Sequence, residues 1–280
     1  MRHARNRLDA SCRGISEILT LWRYKKGMDA TQAAGRVLQQ QAPTMRTLAT
    51  ATARFTGLLG VLACVSANAA RPLNTDDANI VDEKSCQLES WARSAHGVRE
   101  FWAIPGCNFG REIEWSLGGS KQKDDLAGDA RYALAQAKIR WRAVEPGSWG
   151  LATSVGAART RNDLTGERFY DKYVNVPLTF ALPSDRFMHL NLGWIHHGDA
   201  GTGRLTYGVG GEIPLGGPVI AVVEAYGERH TPAKYQAGLR FWIVPQRVQI
   251  DTTYGNSFHG PGSARWISIG LRLLSPAFLP

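Results

Sequence analysis

Hydrophobic and polar residues alternate in short runs along the C-terminal two thirds of the chain. In the last run, residues 267–273, isoleucine and leucine occupy the odd positions, whereas Ser268, Gly270 and Arg272 occupy the even ones. Side chains of a β-strand point alternately to its two faces, so a period of two predicts a strand with one apolar and one polar face. The pattern recurs in twelve segments between residues 83 and 274, each about as long as a transmembrane β-strand.

The connections between these segments alternate in length. Short ones such as Pro183-Ser184 and Gly216-Gly217 are followed by longer polar ones such as residues 197–203. Outer-membrane barrels have an even number of strands, short periplasmic turns and longer external loops. We therefore predict an all-β fold, an antiparallel transmembrane up-and-down β-barrel of about twelve strands over residues 83–280.

A secreted β-sandwich or a lipocalin-like barrel is the alternative fold, because both also alternate polar and apolar positions. Their polar face meets water and should be rich in Lys and Glu. Here the polar face contains mainly Gly, Ser, Thr, Asn and isolated charges. This composition favours a barrel with its polar face towards a crowded lumen and its apolar face towards lipid.

The N-terminal region predicts export through a cleaved signal peptide. A basic stretch beginning at Met45-Arg46 precedes an apolar run over residues 55–65, which is too short to cross a bilayer. Small residues follow, so we predict a signal peptide over residues 45–69 with cleavage between Ala69 and Ala70. Lipidation at Cys64 is the alternative.

Two further regions follow from this assignment. We predict that residues 1–44 are an upstream extension that does not belong to the true product, which would start at Met45. We also predict that residues 70–82 form a periplasmic N-terminal segment before the barrel. Residues 1–69 contain 10 of the 33 Lys and Arg but only 3 of the 24 Asp and Glu, so the basic excess lies in the leader. The body is nearly neutral, and we predict no nucleic-acid partner.

Two cysteines remain after cleavage, Cys86 and Cys107. They flank His96-Gly97, a plausible two-residue hairpin turn. If this turn is correct, the two cysteines face each other at a non-hydrogen-bonded pair, where the Cα atoms are about 4.5 Å apart and within disulfide range. We predict a Cys86–Cys107 disulfide, whereas two buried free thiols are the alternative.

Charged and polar residues on the predicted lumen face are the candidate functional residues. Glu112 and Glu114 on one strand should lie near Lys138, Arg140 and Arg142 on the next, which predicts a ladder of ion pairs that either fills the lumen or forms a charged constriction. The full set of lumen candidates is Glu112, Glu114, Lys138, Arg140, Arg142, His189, Asn191, Glu212, Arg240, Asp251 and Arg272.

Two other polar clusters contain side chains that can bind metal ions. His196, His197 and Asp199 in an external loop have suitable ligand atoms, but adjacent histidines of an extended chain point apart, and we interpret them as a solvated loop. Asp76 and Asp77 are interpreted as a local Asx turn rather than a cation site. We predict no metal and no cofactor.

A hydrolase site is the remaining alternative. Ser257 and His259 lie close together in the sequence, and Glu228, His230 or Asp251 could provide a third member. Their order and spacing match no known nucleophile motif, and a catalytic triad is defined by geometry rather than by sequence. We therefore predict no enzymatic activity.

The start of the predicted mature chain resembles a family of bacterial outer-membrane proteins named after the meta-pathway of phenol degradation. Residues 71–78 (Arg-Pro-Leu-Asn-Thr-Asp-Asp-Ala), Cys86-Gln87-Leu88-Glu89 and Trp91 carry the resemblance. The resemblance implies an outer-membrane barrel that admits hydrophobic or aromatic compounds. The usual terminal aromatic residue is replaced here by a short tail that contains Phe278.

The combined expectation is an outer-membrane barrel that acts as a passive channel or uptake protein for small, aromatic or hydrophobic molecules. A barrel with a structural or binding role and no conductance is the runner-up. The expected partners are outer-membrane lipid, the barrel assembly machinery and a small solute whose identity the sequence does not define.

Overall fold

The computed structural model describes residues 73–125, 128–259 and 264–280. The predicted leader, including Met45, Cys64 and the Ala69–Ala70 cleavage site, lies outside these residues. The described residues form twelve strands: β1 (Cys86–Ala95), β2 (Val98–Asn108), β3 (Ile113–Asp124), β4 (Ala130–Arg142), β5 (Trp149–Asn162), β6 (Arg168–Leu182), β7 (Arg186–His197), β8 (Thr202–Gly216), β9 (Val219–Glu228), β10 (Lys234–Val244), β11 (Val248–Ser257) and β12 (Trp266–Leu274).

The strands form one closed barrel. Each strand pairs antiparallel with its neighbour along the chain, and β1 pairs with β12. Closure gives every strand two partners and leaves no sheet edge, as the bilayer interior requires of a spanning sheet. The predicted all-β, up-and-down barrel of twelve strands is confirmed. In the part of the chain that the structure describes, no helix is long and apolar enough to cross a membrane.

The two faces of the barrel wall differ as the alternation predicts. On β12, Ile267 and Ile269 are 57% and 62% exposed, whereas Ser268 and Arg272 are 8% and 4% exposed. Large apolar side chains are exposed on β2 to β12, among them Phe101, Leu117, Trp141, Val155, Val176, Leu192, Val209, Val223, Leu239 and Ile250. A soluble sandwich or lipocalin would bury these residues, so that alternative is wrong.

Most connections at the two ends of the barrel differ in length, the exceptions being residues 143–148, which are long for their end, and residues 96–97, which are short for theirs. Residues 183–185, 217–218 and 245–247 form tight turns at the end where β1 begins and β12 ends, whereas residues 258–265 form a longer connection at the opposite end. In outer-membrane barrels the tight turns are periplasmic and the longer loops external. We use "periplasmic" and "external" for the two ends in this sense.

The disulfide predicted from the hairpin register is present. The β1–β2 register runs without a bulge from Ala95↔Val98, beside the turn at Gly97, to Cys86↔Cys107. Gly97 has a φ of 74°, which suits a tight turn. The two cysteine Cα atoms are 4.1 Å apart and the sulfur atoms are bonded. The bond therefore fastens the periplasmic base of the first hairpin.

Candidate functional site

The lumen is crossed by the residues that precede β1. We call residues 73–81 the lumen segment, because it contacts the inner faces of β3, β4, β6, β7 and β9. Its buried members, all less than 5% exposed, are Leu73, Thr75, Asp77, Ala78, Ile80 and Val81. The sequence predicts a periplasmic segment over residues 70–82, whereas in the structure residues 73–81 lie inside the barrel.

Wall side chains satisfy the backbone of the lumen segment. Glu224 accepts hydrogen bonds from Asn74 N at 2.8 Å and Thr75 N at 2.7 Å. Ala78 N donates to Thr179 Oγ1 at 2.9 Å, and Val81 N donates to a carboxylate oxygen of β3 at 2.7 Å. Buried N–H groups outside a sheet need such partners, so these wall residues make the closed arrangement possible.

Asn191 and Lys138 hold the middle of the segment. The Asn191 amide accepts from Asp76 N at 2.8 Å and donates to the Asp76 carbonyl at 2.7 Å. The Lys138 ammonium lies 2.8 Å from Asp76 Oδ1 and 3.2 Å from Asp77 Oδ1. The expected local turn is also formed, because Asp77 Oδ1 accepts from Asn79 N at 2.8 Å. The cation beside the two carboxylates is thus the ammonium of Lys138.

This arrangement alters the predicted ladder of ion pairs. Glu114 lies opposite Lys138 in the β3–β4 register, as expected. However, Glu114 accepts hydrogen bonds from Val81 N and from Gln87 Nε2, at 2.7 and 2.8 Å, while the Lys138 ammonium binds the lumen segment. Glu114 and Lys138, which the sequence predicts as an ion pair with each other, therefore both bind the lumen segment.

The other three members of the predicted ladder, Glu112, Arg140 and Arg142, lie at the periplasmic rim. Arg140 pairs with Glu112, which is in the β2–β3 turn and 57% exposed. Arg142 points outward, donates to Ser148 Oγ at 2.9 Å and stacks its guanidinium 4.0 Å from the Trp149 ring centroid. A shift in the β4–β5 register between residues 140 and 142 causes this, because one extra residue reverses the faces. Glu112 and Arg142 are therefore not lumen residues.

A buried network fills the periplasmic half of the lumen. Glu212 Oε2 lies 2.8 Å from an Arg240 nitrogen, and Glu212 Oε1 lies 3.4 Å from His189 Nε2. The Thr179 hydroxyl, 3.0 Å from His189 Nδ1, connects this network to the lumen segment through Ala78 N. All three ionisable residues are 1% exposed.

The last two predicted lumen residues lie beside this network. Arg272 donates to Gln87 Oε1 at 2.8 and 2.6 Å and lies 3.7 Å from Glu89. Asp251 is 4% exposed and faces Arg240 in the β10–β11 register. A Cβ atom on Gly270 would approach the Asp251 carboxylate to 2.5 Å, so glycine leaves room for that group.

A cavity of about 720 Å³ extends along the lumen, past the lumen segment, from the external end to Gln87, Glu114 and Arg272 in the periplasmic half. Residues 73–76 line one side of it, and Thr231 and Pro232 of the β9–β10 loop line its external end. We call it the vestibule. Its volume lies within the range of small-molecule sites, about 300–1,000 Å³. The lumen segment therefore lies beside this cavity, whereas His189, Glu212 and Arg240 of the buried network do not line it.

Aromatic side chains form one wall of the vestibule. The Trp91 and Trp102 rings stack with centroids 5.4 Å apart and an interplanar angle of 9°, and Tyr132 follows at 5.5 Å from Trp102. Beside them, Glu100 is neutralised by Arg93 at 2.6 Å. These aromatic residues are not among the predicted lumen residues. The alternation along β1 does indicate one of them, since Trp91 has the parity of the lumen residues Glu89 and Arg93.

The structure also separates the residues considered for a hydrolase. Glu228 binds the His197 ring at 2.9 Å, and Asp251 lies in the periplasmic half of β11, away from Ser257 at the external end of that strand. Asp251 is therefore not placed to complete a triad with Ser257, and the Glu228 carboxylate has His197 rather than His259 as its partner.

Comparisons with known proteins agree with this architecture. The chain matches the family model described as "Uncharacterised conserved protein UCP029691" over residues 57–274, and it belongs to this family. No curated protein matches it in sequence.

Among solved structures, an outer membrane channel from Pseudomonas putida F1 aligns with a TM-score of 0.52 at 9% identity, covering 72% of this chain and 100% of that one. The KdgM porin aligns at 0.48 with 8% identity, covering 67% and 98%, and the NanC porin at 0.47 with 9% identity, covering 68% and 98%. At these identities the likeness concerns the fold, which is that of an outer-membrane β-barrel.

Proposed function

We propose that this protein resides in the outer membrane and admits small, weakly polar molecules from outside into the vestibule, with the lumen segment as the barrier to further passage. The observation that carries the proposal is the vestibule itself. Residues 73–76 of the lumen segment and the stacked rings of Trp91 and Trp102 line it.

The lining favours a ring-shaped, uncharged solute. Flat indole faces such as those of Trp91 and Trp102 bind other rings by stacking. The charged groups beside them are already neutralised, as in the Arg93–Glu100 pair at 2.6 Å. The resemblance to the phenol meta-pathway family, which implies aromatic compounds, supports the same class. A barrel that binds such molecules without conducting is the second candidate, since the lumen segment occupies part of the lumen.

The direct experiment records single-channel conductance in planar bilayers for the exported protein and for a variant that lacks residues 73–81. We expect a low conductance for the wild type and a several-fold larger one for the deletion, because the segment occupies the lumen. Equal conductance of the two proteins would contradict the assignment of the segment as the barrier.

A locked variant provides the matched control. A Cβ atom on Gly208 would lie 3.4 Å from the Thr75 Cβ, close to the 3.5–4.5 Å typical of a disulfide. Thr75→Cys combined with Gly208→Cys should therefore fasten the segment to β8 when oxidised. We expect this protein to stay closed. If it conducts like the deletion variant, solutes pass by another route.

Solute binding is tested separately from conductance. Stacking of a ligand on Trp91 and Trp102 should quench indole fluorescence, so we expect saturable quenching by phenol and none by glucose. Trp102→Leu should weaken the phenol response at least several-fold. Trp141→Leu, on the outer surface with a 64% exposed ring, is the control and should leave it unchanged.

A further inference from the structure

The external rim of the vestibule brings together metal-ligating side chains that are separated in sequence. Asp171 on β6, His197 at the end of β7 and Asp199 in the following loop each direct one ligand atom to a common point, with these atoms all within 4.8 Å of one another. His197 and Asp199 alone offered two candidate ligands. The barrel supplies the third, because β6 and β7 are paired and residue 171 lies one position beyond the Lys172↔His196 pair.

We propose that Asp171, His197 and Asp199 form a binding site for a divalent transition-metal ion, Zn²⁺ being the best match. Around tetrahedral zinc, bond lengths of 2.0–2.2 Å place ligand atoms about 3.4 Å apart. The three side chains reach this spacing by small rotations, since none is buried. One imidazole with two carboxylates favours such an ion over Ca²⁺ or Mg²⁺, which prefer oxygen ligands alone.

Glu228 gives independent support for this site. Its Oε2 atom lies 2.9 Å from Nε2 of His197 and it approaches from another strand, β9. A histidine that binds a metal commonly donates its other ring N–H to a carboxylate, which fixes the tautomer and leaves the second nitrogen available as a ligand. Glu228 therefore provides the orienting partner that a ligand histidine requires.

The carboxylates are also held in place before any ion binds. Asp171 Oδ1 accepts a hydrogen bond from Gly198 N at 2.8 Å, and Asp199 Oδ1 accepts one from Ala200 N at 2.7 Å. Each carboxylate has a second oxygen. Because Glu228 also lines the vestibule, a bound ion would lie where solutes enter and would connect β6, the β7–β8 loop and β9.

Isothermal titration of Zn²⁺ into the exported protein, purified in detergent without a polyhistidine tag and stripped with a chelator, tests the proposal. We expect saturable binding with one ion per chain. His197→Gln and Asp171→Asn should each weaken it at least tenfold, and Glu228→Gln about tenfold, the loss typical of an orienting partner. Heat-modifiable gel migration establishes that each variant is folded.

The adjacent histidine is the matched control. His196 has the opposite parity and faces the Trp194 ring at 6.0 Å, so His196→Gln should bind Zn²⁺ within twofold of the wild type. The proposal is overturned by three results: no saturable binding, equal losses in His196→Gln and His197→Gln, or stronger binding of Ca²⁺ than of Zn²⁺. None of these depends on whether the barrel conducts.

Discussion

Lys138 is the residue on which the closed lumen depends most. Its side chain is 7% exposed and neutralises Asp77, which is 2% exposed, together with Asp76. Removal of one member of a buried ion pair leaves an uncompensated charge and commonly costs about 3–5 kcal/mol. Here the cost can be avoided if the lumen segment leaves and water enters. The buried pair therefore links the position of the segment to the charge state of the lumen.

Glu112 allows a prediction about pH. The hydrogen bond from Arg140 lowers the pKa of the Glu112 carboxyl. A lowered folded-state pKa stabilises the protein above the unfolded-state pKa, and this contribution is lost as the pH falls through the folded value. Because the carboxyl is mostly exposed, Glu112→Gln should reduce the unfolding free energy at neutral pH by at most about 1 kcal/mol.

The measurement is urea unfolding in detergent at neutral and at strongly acidic pH. The difference between Glu112→Gln and the wild type should disappear in acid, where both side chains are uncharged. Glu145→Gln, in the neighbouring periplasmic turn, is the control and should show no such dependence. An equal deficit at both pH values would mean that the ion pair is not its cause.

Parity along the strands predicts which residues face the lumen but not what they bind. His189, Glu212 and Arg240 are buried where the alternation places them. The partner of Lys138 could not be derived in this way, because the lumen segment arrives from outside the sheet and no period describes it. Arg142 illustrates another limit, since the register shift that turns it outward has no marker in the sequence.

At the level of elements, β8 is shaped to receive the lumen segment. A Cβ atom on Gly208 would approach Thr75 Oγ1 to 2.7 Å, and one on Gly210 would lie 3.3 Å from Thr75 Cβ. Glycine within a strand often marks such a close approach of another chain segment. Gly208 and Gly210 have the parity of the lumen residue Glu212, so the alternation predicts that they face the lumen. The alternation does not predict that the lumen segment occupies the space beside them.

Gly208→Ala should loosen the segment without disturbing the barrel. The added methyl group overlaps the Thr75 hydroxyl, so we expect several-fold faster hydrogen exchange of the backbone amides in residues 73–81. Gly211→Ala is the matched control on the same strand, because its Cβ would make only ordinary contacts, with Val223 Cγ2 at 3.6 Å and the Phe187 carbonyl oxygen at 3.8 Å. Exchange that is accelerated equally by both changes would show that the strand, rather than the contact with Thr75, is responsible.

The elements themselves were the most predictable part of the fold. A period of two over twelve segments, with turns of alternating length, leaves few arrangements that satisfy every strand, and closure follows from the need to avoid edges. The remaining differences concern strand ends at the periplasmic side, such as the irregular pairing near Pro214 and near Trp242. At these positions the register between neighbouring strands shifts, so the period of two no longer predicts which face of the wall a residue occupies.

For the whole molecule, the two faces of the wall perform different tasks. The outer face presents apolar side chains to lipid, which allows the inner face to contain charges that a soluble core of this size would not accommodate. These charges bind the lumen segment, which narrows the lumen beside the vestibule. The proposed barrier to solute passage therefore depends on the position of the N-terminal segment.

Ile269→Arg tests whether the outer face lies in a bilayer. Ile269 is near the middle of β12 and 62% exposed. An arginine facing lipid near the bilayer midplane costs about 2–4 kcal/mol, so the yield of heat-modifiable barrel after folding into phospholipid vesicles should fall sharply. Leu164→Arg makes a similar change at a 76% exposed site in the β5–β6 loop, where water solvates the charge. It should fold like the wild type. Normal folding of Ile269→Arg would mean that this face meets water, and a loss shared by both variants would indicate a general effect of added charge.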